Sequence, residues 1–304
     1  MKALVTGSSG FIGNKLCKKL LNNGYEVLGL DPNENFIKDK NFQFFSGIFT
    51  DLLEDSLLEF IDKDTSVFHL GATKNKNVET VGIKQLLESN VNDFSKLLEF
   101  SNKKNVKKLI FTSSLYVYGT KNNGPFYEDS LLAPETYYGI SKLIGEKLVE
   151  DFHKKSNITS YIFRLFFIYG SGQKTEQSNY YPVIHKTINN LKSGKNPTIY
   201  GDGQQSLDFV FIDDLINLLC DNERVIKNNN LNIYNVSSNK ETSINELVKI
   251  ITEKLNIDLK PKYLEKDWTN NTRRFGSNDK IMNDLNWAPK IDLNKGLDKC
   301  LKFL

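Results

Sequence analysis

In the first half of the chain, apolar residues fall alternately into short continuous runs and into helix-spaced patterns. The runs are rich in β-branched and aromatic residues, and they predict strands at Ala3 to Thr6, Tyr25 to Leu30, Ser66 to Leu70, Lys108 to Ser113 and Thr159 to Leu165. Between them, amphipathic helical patterns begin near Phe11, Leu52, Val78 and Tyr137. Strands that alternate with helices in this way predict an α/β fold with a parallel, doubly wound sheet and right-handed crossovers.

The pattern becomes irregular after Gly170, where shorter strand and helix signals replace the regular alternation. We therefore expect a main domain over residues 1–170 and a smaller C-terminal α/β cap domain mainly over residues 171–304. A strand pattern at Leu231 to Val236 predicts a return to the main sheet. We expect residues 208–236 to complete the main domain, so that the two domains interleave.

Composition and charge exclude several classes of protein. The 304 residues are 39% hydrophobic and 25% charged, which is typical of a globular protein with a sizeable core. The net charge is +3, and lysines are mixed with acidic residues throughout, so no basic stripe favours nucleic acid and no polybasic end favours a membrane surface. The first residues enter a strand directly, without a signal peptide or an apolar run of membrane-spanning length, so we expect a cytoplasmic protein.

Cysteine and histidine spacing favours neither a disulfide framework nor a metal site. The three cysteines, at positions 17, 220 and 300, are far apart, and the three histidines, at 69, 153 and 185, form no metal-ligand pattern with them. We assign no metal.

A glycine-rich loop, Thr6-Gly7-Ser8-Ser9-Gly10-Phe11-Ile12-Gly13, follows the first strand and opens a helix. Glycine permits a tight turn and a close backbone approach, and the helix N-terminus directs free amides and a positive dipole end at a pyrophosphate. We expect Gly7, Gly10, Phe11, Ile12 and Gly13 to bind a dinucleotide. This context predicts that the main domain is a Rossmann-type dinucleotide-binding domain.

Asp31 ends the second predicted strand, about twenty residues beyond the loop, where a carboxylate accepts hydrogen bonds from a ribose diol. Because the carboxylate would repel a 2′-phosphate, we predict NAD over NADP. The alternative is an aspartate that only starts the turn Asp31-Pro32-Asn33.

Candidate chemistry is concentrated in Thr136-Tyr137-Tyr138-Gly139-Ile140-Ser141-Lys142, where a phenol and an ammonium lie one helical turn apart. A tyrosine pKa of about 10 is lowered by a fixed positive charge nearby, so that a phenolate can act as a base. The pair alone is weak evidence in a lysine-rich chain with 13 tyrosines.

Further motifs occur in a fixed order along nearly the whole chain. They are Val67-Phe68-His69-Leu70-Gly71-Ala72, Asn90-Val91, Thr112 through Gly119, Tyr138 to Lys142, Arg164 through Tyr169-Gly170, Gly201-Asp202-Gly203, Asp208-Phe209, Asp213-Asp214 and Asn286-Trp287-Ala288-Pro289. With the glycine loop, the chain resembles the extended short-chain dehydrogenase/reductase family of NAD-dependent nucleotide-sugar epimerases and dehydratases.

The resemblance implies a catalytic role for three residues. Ser114 is similar to the family's serine or threonine that hydrogen-bonds the sugar C4 oxygen. Tyr138 is similar to the base that removes the proton of the C4 hydroxyl while the C4 hydride passes to the nicotinamide. Lys142 would hold the nicotinamide ribose and lower the tyrosine's pKa. The resemblance also implies that Ile48, Leu70, Gly71, Lys74 and Asn90 contact or frame the cofactor.

The resemblance implies that the cap domain binds the substrate, a nucleoside-diphosphate sugar, and it indicates four candidate residues there. Asn179 is similar to an asparagine that touches the sugar diphosphate, and Tyr200 lies in a segment similar to one beside the nucleobase. Arg273 or Arg274 is similar to an arginine that clamps phosphate oxygens, a task suited to a two-pronged donor.

The chain departs from the family pattern at several positions. Phe167 and Leu207 replace an asparagine and an arginine that usually contact the sugar diphosphate, so the nucleotide could be CDP, GDP or dTDP rather than UDP. Ile48 replaces an aspartate that often binds adenine, so adenine would be held by packing. Leu115-Tyr116 replaces the acidic pair that dehydratases use after the catalytic residue, which disfavours 4,6-dehydration.

We therefore expect an NAD-dependent nucleotide-sugar 4-epimerase that works by reversible C4 oxidation. The alternatives are a 4-dehydrogenase or 4-ketoreductase with net redox change and the same catalytic residues, then a 4,6-dehydratase or a non-catalytic NAD-binding protein. The resemblance further implies a homodimer formed by the helices near Asn90 to Lys103 and Tyr137 to His153. Apolar stripes on these helices more often indicate ordinary core packing, so the pattern itself does not show the dimer. The members of the stripes are Val91, Phe94, Leu97, Leu98, Leu143, Leu148 and Phe152.

Overall fold

The computed structural model describes residues 1–53, 56–73, 82–119, 122–173, 183–221, 230–267 and 269–302. The chain divides into two compact units, each built from several stretches. Unit 1 consists of Met1–Val117, Leu132–Arg164 and Ile216–Tyr234, and unit 2 of Tyr118–Leu131, Leu165–Leu215 and Asn235–Leu304. The expected domain boundary near residue 170 stays a prediction.

The strands of both units are short. In chain order they are β1 (Lys2–Thr6), β2 (Glu26–Asp31), β3 (Phe42–Ser46), β4 (Thr65–His69), β5 (Lys108–Ser114), β6 (Ser160–Leu165), β7 (Phe167–Tyr169), β8 (Thr198–Tyr200), β9 (Ser206–Leu207), β10 (Phe209–Phe211), β11 (Leu231–Val236), β12 (Thr242–Ser243), β13 (Lys262–Leu264) and β14 (Arg273–Arg274).

The helices vary more in length. The α-helices with defined bounds are α1 (Phe11–Asn22), α2 (Phe49–Leu52), α3 (Asp93–Lys104), α4 (Tyr137–Ser156), α5 (Val183–Lys192), α6 (Ile212–Asp221), α7 (Ile244–Leu255), α8 (Asp279–Leu285) and α9 (Leu293–Leu301). Residues 82–87 are also helical and continue through a π-helical turn, Glu88–Asn92, into α3. Short 3₁₀ helices cover Ser56–Phe60 and Leu115–Tyr118.

A seven-stranded sheet organises unit 1, with the strand order β11-β6-β5-β4-β1-β2-β3. Strand β1 pairs in parallel with both β2 and β4, and the pairs β2–β3 and β4–β5 are also parallel. The order reverses at β1, where the chain moves first to one side of the sheet and then to the other. This is the order of a Rossmann-type doubly wound fold, and it confirms the predicted fold class.

The core of unit 1 explains why its strands are apolar at successive positions. Leu4, Leu28, Val67 and Leu109, on four neighbouring strands, are fully buried together with residues of α3 and α4. A parallel sheet covered by helices on both faces leaves no strand face for polar side chains. Each such buried side chain contributes about 1.5–3 kcal/mol to the stability of the fold.

Unit 2 contains smaller sheets. Strands β7 and β10 pair in parallel, as do β8 and β13, while β9 lies between an antiparallel β12 and a parallel β14. A compact apolar cluster, Ile199, Ile244 and Val248, joins β8 to α7.

The structure bears out most of the predicted elements of the main sheet and differs at three places. Strand β3 was not predicted, because its phenylalanines sit at an edge of the sheet and stay partly exposed. The pattern near Leu52 forms only α2 and the following 3₁₀ turn. The helix start predicted near Val78 lies outside the described residues, and the helix is described from residue 82.

Further features concern the chain as a whole. Cys17, Cys220 and Cys300 are buried free thiols. Among the described residues, no three metal-ligating side chains cluster, and no helix combines the length and apolar character that crossing a bilayer requires.

Candidate active site

Strand β5 and helix α4 carry the three residues predicted to be catalytic. Ser114 is the last residue of β5, and Tyr138 and Lys142 lie on the first turns of α4. The helix starts where it does because the Thr136 hydroxyl accepts a hydrogen bond from the Gly139 amide at 3.1 Å. This cap fixes the turn that carries Tyr138.

The three side chains converge in unit 1. The hydroxyls of Tyr138 and Ser114 are hydrogen-bonded to each other. The Lys142 ammonium donates to the Thr112 carbonyl oxygen at 2.8 Å and lies 5.8 Å from the centroid of the Tyr138 ring. The predicted serine, tyrosine and lysine therefore meet at the end of β5.

The electrostatics of Tyr138 differ from the expectation. Burial raises the pKa of its phenol above the ordinary value, the neighbouring Tyr116 phenol adds to the rise, and the hydrogen bond with Ser114 opposes it. Tyr116 packs edge-on against Tyr138, with ring centroids 6.1 Å apart. Among the protein's own groups, desolvation thus outweighs the lowering that we expected from Lys142, and the phenol is protonated at neutral pH.

Asn90 links this helix to the loop after β4. Its side-chain oxygen accepts from the Thr73 amide at 2.7 Å, and its amide donates to the Thr73 carbonyl and to the Ser141 hydroxyl, both at 3.0 Å. Asn90 is buried within the π-helical turn, which directs its side chain at both partners. The predicted framing residue thus holds the loop and α4 together.

The glycine loop packs so closely against neighbouring backbone that a side chain would clash there. Gly7 has φ +71°, and a Cβ atom there would lie 2.7 Å from the Gly71 nitrogen. A Cβ on Gly13 would lie 2.0 Å from the Gly7 carbonyl oxygen. No side chain caps α1 at Gly10, and its first turn, which includes Phe11 and Ile12, contains no acidic residue. The loop and helix end therefore fit an anionic group such as a pyrophosphate.

Asp31, at the end of β2, lies beside this loop. One carboxylate oxygen accepts from the Ser9 amide at 3.1 Å, and the other accepts from the Asn33 backbone and side chain at 2.8 and 3.0 Å. The contact with Asn33 also stabilises the turn that we considered as the alternative role. The two roles are compatible, because each carboxylate oxygen can accept more than one hydrogen bond.

Other predicted cofactor residues lie just after the carboxyl ends of strands of the main sheet. Gly71 donates its amide to the Thr6 hydroxyl at 3.1 Å, and the Leu70 amide donates to the Thr6 carbonyl at 3.3 Å. The Ile48 amide precedes α2 and donates to the Asp51 carboxylate at 2.9 Å. Lys74 lies outside the described residues.

The predicted substrate residues belong to unit 2, apart from Ser114 and Tyr138. Tyr200 is partly exposed on β8. The exposed Arg273 guanidinium forms a two-pronged pair with the Glu241 carboxylate, at 2.7 and 3.0 Å, and this hydrogen bonding lowers the pKa of Glu241. Arg274 is buried. Asn179 lies outside the described residues, and the substrate-binding role of all four candidate residues stays a prediction.

Sequence reasoning missed several polar neighbours of the site. Glu146 follows Lys142 by four residues on the same face of α4 and reaches Ser113, and Thr112 provides the carbonyl that binds Lys142. The helical spacing of Tyr138, Lys142 and Glu146 was a readable signal.

A serine, a tyrosine and a lysine thus meet at the end of a central strand, in a Rossmann-type unit whose glycine loop fits a dinucleotide. The model of the NAD-dependent epimerase/dehydratase family matches residues 3–237. The chain belongs to this family, and it is an enzyme with NAD as its cofactor, as predicted.

Individual relatives cover the whole chain. A protein of Methanocaldococcus jannaschii, provisionally named UDP-glucose 4-epimerase, is 31% identical over 99% of this chain and 97% of its own. UDP-glucose 4-epimerase of Thermotoga maritima, solved with UDP-glucose, has a TM-score of 0.90 and 26% identity over 100% of this chain and 98% of its own.

A third relative was solved with a cofactor. A variant of UDP-glucuronic acid 4-epimerase from Bacillus cereus, in complex with UDP-4-deoxy-4-fluoro-glucuronic acid and NAD, has a TM-score of 0.87 and 27% identity over 100% of this chain and 98% of its own.

Proposed function

We propose that this protein is an NAD-dependent nucleotide-sugar 4-epimerase that acts by reversible oxidation of the sugar at C4. The observation that carries the proposal is the convergence of Ser114, Tyr138 and Lys142 where β5 meets α4, with the Lys142 ammonium 5.8 Å from the centroid of the Tyr138 ring. Two hydroxyls in contact beside a fixed cation form a path along which a proton can leave a substrate alcohol.

Each residue has a defined task in this proposal. Ser114 hydrogen-bonds the C4 oxygen and passes its proton to Tyr138, whose phenolate is the base. After the keto sugar has rotated in the pocket and presents its other face, Tyr138 returns the proton to the C4 oxygen. Lys142 holds the ribose of the cofactor and stabilises the phenolate. Bound NAD would supply the acceptor and then the donor of the C4 hydride, so the overall reaction would be redox-neutral.

The residues near the first strand fit this cofactor. Gly7 and Gly13 let the loop pack closely against the start of α1, whose N-terminus would bind the pyrophosphate, and we propose the Asp31 carboxylate as the ligand of a ribose diol. Ile48, Leu70 and Gly71 would line the remaining surface.

The names of the relatives support a nucleoside diphosphate sugar as substrate, since the two solved structures contain UDP sugars. For this chain, we propose Tyr200, Asn179 and one of the two adjacent arginines, Arg273 or Arg274, as its ligands. Phe167 and Leu207 leave the choice of nucleotide open.

The test is proton NMR of UDP-, GDP-, CDP- and dTDP-sugars incubated with the purified protein, with NADH absorbance followed in parallel. The expected result is a C4 stereoisomer without net NADH. A keto product with a matching amount of NADH would identify a 4-dehydrogenase instead. No change in any sample, with keto sugars and NADH included, would contradict the proposal.

We also propose a cytoplasmic homodimer, on the strength of the resemblance. Phe94, Leu97, Leu98 and Phe152 are part of the core and cannot form its interface. Ile83, Leu87 and Ile140, on the same two helical segments, are partly exposed and are better candidates. Sedimentation as a monomer at micromolar concentration would contradict the dimer.

A further inference from the structure

Helix α4 contacts the end of β5 at three successive turns. Tyr138 bonds to the Ser114 hydroxyl, and Lys142 bonds to the Thr112 carbonyl. One turn further, the Glu146 carboxylate accepts a hydrogen bond from the Ser113 hydroxyl at 2.5 Å. The positions 138, 142 and 146 share one face of the helix, and Ser113 directly precedes Ser114.

The third contact includes a buried ion pair. The Arg164 guanidinium, on β6, donates to both oxygens of the Glu146 carboxylate, at 3.0 and 2.8 Å. The two side chains are only 3% and 1% exposed. The cluster Ser113–Glu146–Arg164 therefore connects one helix to two neighbouring strands, behind the catalytic residues.

Stability alone does not account for such a pair. Desolvating two charges costs about as much as their attraction returns, and apolar residues of similar size often give an equally stable or more stable protein. The pair instead fixes orientation, because a two-pronged arginine–carboxylate contact sets the geometry of both side chains. The helix position that it fixes is two turns from Tyr138.

Two glycines set the distance between α4 and the residues next to it. A Cβ atom on Gly145 would lie 2.5 Å from the Phe111 ring, and one on Gly139 would lie 2.6 Å from the Tyr116 carbonyl oxygen. These glycines let the helix approach closely but place no restraint on its sliding or rotation. The polar cluster supplies that restraint.

We propose that Ser113, Glu146 and Arg164 are positioning residues, which hold α4 in the register that brings Tyr138 and Lys142 to Ser114. The inference rests on the proposed function, in which those three groups move the proton. None of the positioning residues contacts the substrate. Their loss lowers kcat through geometry and leaves substrate and cofactor affinity largely intact.

The decisive variant is the triple substitution Ser113→Ala, Glu146→Leu and Arg164→Met, which leaves no charge or hydroxyl of the cluster behind. The matched control is Asp151→Asn with Lys155→Gln, which removes an exposed ion pair from the same helix. For each protein, the measurements are kcat, KM, bound NAD per chain and the melting temperature. If the triple variant does not fold, Ser113→Ala alone, which leaves the ion pair in place, carries the same test.

We expect the triple variant to melt as the wild type does and to retain NAD and KM, while kcat falls about tenfold or more, because a small misplacement of catalytic groups has a large cost. The control should keep its kcat. An unchanged kcat in the folded triple variant would overturn the inference, as would a fall in kcat matched by the control.

A second readout separates this inference from the proposed function. In protein labelled with ¹³Cζ-tyrosine, the Tyr138 signal is the one missing from Tyr138→Phe, and its shift reports the hydrogen bond to Ser114. We expect this signal to move in the triple variant and not in the control. If the wild type turns over no nucleotide sugar, the proposed function fails, and an unmoved signal would then also overturn the positioning role.

Discussion

The Thr6 hydroxyl lies 2.9 Å from Nδ1 of His69 and accepts a hydrogen bond from the Gly71 amide at 3.1 Å. It thereby ties the ends of β1 and β4 together, at the point where the sheet order reverses. The His69 ring is buried and stacks on Phe94, with ring centroids 4.2 Å apart. Burial in this stack disfavours the charged form of the imidazole.

This burial makes stability depend on pH. Burial first, and then the charge of Lys142, hold the pKa of His69 well below its ordinary value of 6.5. Below pH 6.5 the unfolded chain takes up a proton that the folded His69 refuses, so stability falls as the pH drops through that range. Thermal melts from pH 7.5 to 5 should show this loss. It should shrink in His69→Gln and persist in His153→Gln.

Removing the phenolic oxygen should stop turnover without disturbing the fold. Tyr138→Phe keeps the aromatic ring and deletes the proposed base, so kcat should fall by about 10²–10⁴-fold. Bound NAD and the melting temperature should stay as in the wild type. The control is Tyr137→Phe, at the preceding and half-exposed position. Equal activity of both variants would exclude Tyr138 as the base.

The raised pKa of Tyr138 predicts the form of the pH–rate profile. In the proposed mechanism, oxidation at C4 needs the phenolate, whereas burial keeps the phenol protonated at neutral pH. The rate should therefore increase with pH, with a slope of about one in a plot of log kcat against pH from 6 to 9. A flat profile for sugar oxidation by the wild type would mean that another group takes the proton.

A single methyl group in the glycine loop should prevent cofactor binding. In Gly13→Ala the new Cβ would lie 2.0 Å from the Gly7 carbonyl oxygen, so the loop must move away from the start of α1. We expect loss of NAD from the purified protein, measured after denaturation by absorbance. Gly24→Asn, in open space at the other end of α1, should retain it, since asparagine tolerates positive φ.

Asp31 should decide between the two dinucleotides. A carboxylate binds a ribose diol and repels a 2′-phosphate, so the wild type should bind NADH about tenfold or more tightly than NADPH. Asp31→Asn should reduce this ratio, and Asp39→Asn, in the exposed loop that follows, should not. Isothermal titration with both cofactors measures the ratios. Preference for NADPH by the wild type would contradict the assignment.

The main sheet could be predicted because its signals are local. Continuous apolar runs identify buried parallel strands, and the strand–glycine–helix pattern at Gly7 to Gly13 identifies the first crossover. The spacing of Tyr138 and Lys142 likewise lies within one helix. Strand β3 escaped prediction because it lies at an edge of the sheet, where its phenylalanines stay partly exposed.

Contacts between distant residues could not be predicted. Arg273 meets Glu241, 32 residues away, and the Glu146–Arg164 pair joins two different elements. The raised pKa of Tyr138 depends on burial, which a sequence does not give directly. In each case, the property depends on tertiary contacts, which the residue types alone do not reveal.

The three buried thiols allow the opening of each unit to be followed by chemical labelling. Cys17 and Cys220 belong to unit 1, and Cys300 belongs to unit 2. Burial raises the pKa of Cys17 to about 12, so its thiol is protonated and shielded in the folded protein. Alkylation in increasing urea, mapped by mass spectrometry, would therefore show which unit unfolds first, with the native cysteines as the only probes.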